Sequence, residues 1–150
     1  MGPEKNSLKE QLRNILEEAR TILPGIQALF GFQTVAVFNQ RFDALSTVSK
    51  YSHVLALALI IVSIALVMAP AAWHRLVEPH QASEFIVAVS SRFLCVALFP
   101  LALGIALDTF VVLELVGLNG QLANALASAL VLAGLLLVWF VLPLRHRRGK

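Results

Sequence analysis

Apolar residues run in four blocks along this chain, at about 22–39, 52–73, 93–115 and 122–144, separated by charged or turn-forming residues. A run of about 20 apolar residues, coiled as an α-helix, matches the ~30 Å hydrocarbon layer of a bilayer. No block shows the period-two alternation of a barrel strand, and lipid offers no partner to an open backbone group. Each block therefore reads as a transmembrane helix. Upstream, Leu8, Leu12, Ile15, Leu16, Ala19 and Ile22 recur at helical spacing, with Lys9, Arg13 and Glu17 between them. That pattern predicts an amphipathic helix over 5–20 lying at the membrane surface. Pro24 then suits the first turn of the span that follows, where its missing N–H costs nothing. The expected fold is all-α: an integral membrane four-helix bundle, one membrane domain over 1–150, with an N-terminal amphipathic interfacial helix.

The connections are short. Gly117, Leu118, Asn119 and Gly120 read as a tight turn, and residues 41–50 as a ten-residue loop on the same side. Residues 73–83, with Pro79 among them, form the opposite connection. A helix running from 85 to 115 in one piece would be about 46 Å long, longer than the bilayer core. Residues 84–92 are therefore expected to form a separate interfacial lead-in.

Composition fits this reading. Of 150 residues, 58% are hydrophobic and 14% charged, with a mean hydropathy of +0.78; a soluble domain carries about 25% charged residues. Glu4, Glu10, Glu17 and Glu18 in the first twenty residues do not fit a cleavable secretory leader. Lys5, Lys9, Arg13, Arg20, Arg75, Arg92, Arg145, Arg147, Arg148 and Lys150 fall on one side of the spans, and only Arg41 and Lys50 on the other. The positive-inside rule then puts both termini in the cytoplasm. The formal net charge of +3 reflects this topology and contact with anionic lipid. No stacking aromatics accompany the basic tail, so nucleic acid is not an expected partner.

Candidate chemistry lies inside the spans. Asp108 is a carboxylate within the third block, and such a group costs at least ~2.5–3.5 kcal/mol on insertion scales, so it turns inward and is commonly functional. Ala97, Pro100, Gly104 and Asp108 share one small-residue face. Matching depths from the span midpoints places Gln33 and Thr34 of the first span and Ser128 of the fourth beside Asp108. Gln27 shares a face with Thr34, so the polar set of an ion pathway or polar core is Asp108, Gln27, Gln33, Thr34 and Ser128. Arg41 and Glu114 lie at similar external depth and are expected to form an ion pair. Ala125, Ala129 and Ala133 repeat every four residues, as in helix association through small side chains. Four short helices enclose a path poorly, which favours a homo-oligomer. Cys95, the sole cysteine, reads as a small core residue. His74, Glu78 and His80 lie close together, but Pro79 breaks any regular ligand face. No metal site, no cofactor and no enzymatic motif is expected.

Leu23-Pro-Gly-Ile-Gln-Ala-Leu-Phe-Gly-Phe-Gln33, then Phe38 with Arg41-Phe42 and Leu45, then Ala69-Pro70 with His74-Arg75, resembles a family of small uncharacterised bacterial membrane proteins. The resemblance covers roughly residues 17–110. Members are sometimes labelled sodium:proton antiporters, although transporters of that kind usually carry repeated, broken helices and this chain shows no repeat. The resemblance implies the bacterial plasma membrane. Two functions follow as expectations: an oligomeric membrane protein providing an ion or proton pathway, or a structural or accessory subunit of a larger membrane complex.

Overall fold

The computed structural model describes residues 3–78, 82–117 and 120–148. Among these, every regular element is helical: α1 (Pro3–Ala36), α2 (Thr47–Val77), α3 (Glu84–Val116) and α4 (Gln121–Leu136), with a π-turn at Leu137–Val141 leading into α5 (Leu142–Arg148). Leu118 and Asn119 of the expected turn, and Pro79 and His80 of the opposite connection, lie outside the described residues.

Two boundaries differ from expectation. The amphipathic segment over 5–20 and the first span are one helix, since α1 runs unbroken past Pro24. Its buried positions explain the continuity. Leu12, Ala19, Ile26 and Gln33 are all buried and seven residues apart, so one stripe holds the whole helix against its neighbours in coiled-coil register. Packing along that stripe outweighs the hydrogen bond that Pro24 removes. The expected separate lead-in at 84–92 is likewise the first part of α3, which is continuous for 33 residues, or about 50 Å.

Three helices, Thr47–Val77, Glu84–Val116 and the run Gln121–Arg147, are long and apolar enough to cross a membrane. The helix α1 stays outside this group because its first half is charged and its second half carries Arg20, Gln27, Gln33 and Thr34 among the apolar residues.

The tightest packing joins α2 to α3, with α1 lying against both and α4 chiefly against α3. On α2 the buried residues Ser49, His53, Ala56, Ile60, Ser63, Val67 and Pro70 follow a four-three spacing that keeps them on one face. Ala19 and Ile26 of α1 join Ile60 and Val67 of α2 and Leu94, Ala97 and Leu101 of α3 in a single apolar cluster. Close approach is possible because Gly104 of α3 has no side chain. A Cβ there would stand 2.9 Å from Ile60 Cδ1 and 3.4 Å from the Ala56 carbonyl oxygen. Ser63 Oγ donates to the Ala97 carbonyl at 2.8 Å, just before Pro100, whose missing N–H loosens the α3 ladder. Cys95 is exposed rather than in the core.

The π-turn has a local cause. Pro143 has no N–H to give the carbonyl of Trp139, one turn earlier. The ladder there shifts, and the Leu142 N–H bonds to the Leu137 carbonyl, five residues back.

Candidate functional site

Most of the buried polar residues gather at one end of the packed helices, with Ser63 and Ser90 lying away from them. Gln33 comes from the last turn of α1, Ser49 and His53 from the first two turns of α2, and Asn124 and Ser128 from the start of α4. Asp108, near the C-terminal end of α3, lies among them. Its Oδ1 stands 3.6 Å from Nδ1 of His53, whose side chain is only 2% exposed. Gln33, 1% exposed, turns its carboxamide toward the same carboxyl.

Backbone geometry produces this meeting. Asp108 follows Gly104 by one turn, and Ala56 follows His53 by almost one turn, so the tight Ala56–Gly104 approach draws the two ionisable side chains together. Directly inward of the pair, Ile60 fills the space against Gly104. The cluster is closed on that side by hydrocarbon.

The polar atoms are under-supplied with partners. Both ring nitrogens of His53, both amide atoms of Gln33 and Oδ1 of Asn124 are buried without a hydrogen bond. Buried polar groups are ordinarily paired, and each orphan costs about 1–3 kcal/mol. A set of such atoms around an imidazole and a carboxyl is a place where protons, or small polar guests, change the energy substantially. The Phe42 ring, from the connection between α1 and α2, packs edge-on against the imidazole with centroids 5.3 Å apart.

Glu114 forms the outer part of the same end. Its carboxylate accepts from the Ser46 N–H at 3.0 Å and from Ser46 Oγ at 3.2 Å, and Ser49 Oγ donates to it as well. The first turn of α2 has no acidic residue of its own, so Glu114 supplies from α3 the anion that a helix N-terminus favours. This overturns the expected Arg41–Glu114 ion pair, since no such pair forms within 4.0 Å. The carboxylate is taken by the α2 N-terminus. The Arg41 guanidinium instead donates to the Leu115 carbonyl at 3.5 Å, at the negative end of α3.

The remaining expected residues divide. Gln33 and Ser128 are buried at the cluster's end of the molecule, Ser128 Oγ donating to the Asn124 carbonyl at 2.9 Å. Gln27 and Thr34 are exposed on the outer face of α1, where Thr34 Oγ1 satisfies itself on the Phe30 carbonyl. His53 and Asn124 were not among the expected residues. The one signal for His53 in the sequence is weak: it shares a helical face with Ser49, Ala56 and Ser63. Among the described residues no three His, Cys, Asp or Glu side chains are grouped to hold a metal ion.

Three helices long and apolar enough to cross a membrane fit a multi-pass membrane protein. Over residues 3–143 the chain matches a family of unknown function, DUF6328, and it belongs to that family. No curated protein and no solved structure matches it. The family description carries no antiporter activity.

Proposed function

We propose that this is a multi-pass protein of the bacterial plasma membrane, with both termini cytoplasmic, that provides a proton pathway through His53 and Asp108. One observation carries the reading: Nδ1 of a buried histidine lies 3.6 Å from the carboxylate of a partly buried aspartate, whose side chain is 16% exposed. Imidazole is the side chain whose ordinary titration falls near neutral pH. A carboxylate beside it can offset the charge of the imidazolium, so the pair can gain and lose a proton without leaving a bare charge in a low-dielectric setting. Gln33, which cannot titrate, can hydrogen-bond the carboxyl in either protonation state. In this reading α1 is the fourth span, its charged first half extending beyond the bilayer on the cytoplasmic side.

The pathway reading needs more than one chain. Ile60 closes the cluster inward, so a continuous path would run between copies. The exposed amide of Gln27 and the hydroxyl of Thr34, seven residues apart on the outer face of α1, are the polar groups available to line it. This is the argument for a homo-oligomer. The same closure by Ile60 favours the second reading, an accessory subunit of a larger membrane complex in which the pair responds to protonation without conducting. Neither reading involves an enzymatic step.

Reconstitution into vesicles under an imposed pH gradient separates the two. Wild-type protein is expected to dissipate the gradient, and Asp108→Asn, which keeps shape and hydrogen-bonding capacity, to lose that flux while remaining folded. A wild-type protein that carries no proton flux supports the accessory reading.

A further inference from the structure

We propose that the connection at 37–46 is a lid over the His53–Asp108 pair, that Phe42 controls access to it, and that Glu114 is the latch. The inference rests on the proton reading for its purpose, and on separate geometry for its parts.

The connection is compact. Successive backbone hydrogen bonds, among them Phe42 N–H to the Asn39 carbonyl and Leu45 N–H to the Phe42 carbonyl, fold it into consecutive turns. Leu45 is buried and anchors its inner side. Phe42 lies half-buried with its ring against the His53 imidazole, on the side away from Ile60. Hydrocarbon therefore bounds the imidazole both inward, at Ile60, and toward the connection, at Phe42. Of these two, Ile60 sits in the tight α2–α3 contact, whereas Phe42 sits on the connection, outside the helices.

That connection is tied down at three points. The Arg41 guanidinium donates to the Leu115 carbonyl, Lys50 Nζ donates to the Asp43 carbonyl at 2.8 Å, and Ser46 at its end donates twice to Glu114. The third tie is the strongest in kind, because the acceptor is charged and sits at a helix N-terminus. Releasing it frees the end of the connection nearest Phe42. The charged groups around the pair are Asp108 and Glu114 from α3, Arg41 and Asp43 from the connection, and Lys50 from α2. From α1 the pair meets the uncharged Gln33.

The test reads His53 directly. Full-length protein in lipid nanodiscs is treated with diethyl pyrocarbonate, which carbethoxylates neutral imidazole, and each histidine is followed by peptide mass spectrometry across pH. In wild type, His53 should react far more slowly than the exposed His146. Phe42→Ala should speed His53 by at least about tenfold, as for the release of a local closed state, with His74 and His146 unchanged. Glu114→Gln should do the same, and Phe42→Leu, which keeps bulk over the imidazole, should hold His53 near its wild-type rate. The lid is overturned if Phe42→Ala leaves His53 as slow as before, or if His53, His74 and His146 speed up together. The outcome is independent of flux. A lid that opens on a protein carrying no protons retires the pathway alone, and flux that needs Asp108 beside an unresponsive His53 retires the lid alone.

Discussion

At Gly104 a single missing methyl group sets how closely α2 and α3 approach. An added Cβ meets Ile60 Cδ1 at 2.9 Å, which is the far end of a flexible side chain, so the structure can yield at a cost typical of overpacking. Gly104→Ala should destabilise the protein by about 1–3 kcal/mol. Ile60→Val removes the clashing methyl, so adding it to Gly104→Ala should recover part of that loss, as a double-mutant cycle of unfolding in micelles would measure. Strict additivity of the two would contradict the contact. The same scale explains what the sequence left hidden. Asp108 was visible because a carboxylate inside an apolar block stands out by itself. His53 sits at the edge of its block, where a polar residue reads as a boundary, and its importance comes only from what it faces. Glu114 and Arg41 were paired by charge alone; the donors that claim Glu114 are an N–H and two hydroxyls, which charge counting does not register.

Among the elements, helix identity was legible and helix length was not. Hydropathy marks where lipid-compatible residues lie, whereas hydrogen bonding and packing carry a helix past those limits. For α3, adding residues 84–92 moves its midpoint to about residue 100. Asp108 then lies ~12 Å and His53 of α2 ~14 Å from their respective midpoints at 1.5 Å per residue. With the shorter span, Asp108 was placed nearer the centre and away from His53. The continuity of α1 is the other departure, and it has a direct measurement. Spin labels at Gln11 and Thr34, both exposed, should lie about 35 Å apart along one straight helix, against about 25 Å if a surface helix met the span at a right angle. A distribution centred on the shorter distance would mean that the buried stripe of Leu12, Ala19, Ile26 and Gln33 does not hold α1 together.

Taken as a molecule, the chain has an asymmetric interior. One end collects Gln33, Ser49, His53, Asp108, Glu114 and Asn124, one or two from each long helix, while Ile60, Val67, Leu94 and Leu101 fill the middle with hydrocarbon. The charged positions of α1, the His74–Arg75 end of α2 and Arg92 of α3 lie toward the other end. This division is what the account turns on: a buried imidazole beside a partly buried carboxyl, reached from one side. It was only partly foreseeable, because the polar residues other than Asp108 are modest alone and the set exists only once four helices align. The most direct test exchanges the pair. Proton flux is measured in vesicles for wild type, His53→Asp, Asp108→His and the double exchange His53→Asp/Asp108→His. The account predicts flux in wild type, loss of at least about tenfold in each single variant, which leaves two like groups facing each other, and recovery in the double exchange. Single variants that conduct like wild type, or a wild type that conducts no protons, would contradict it.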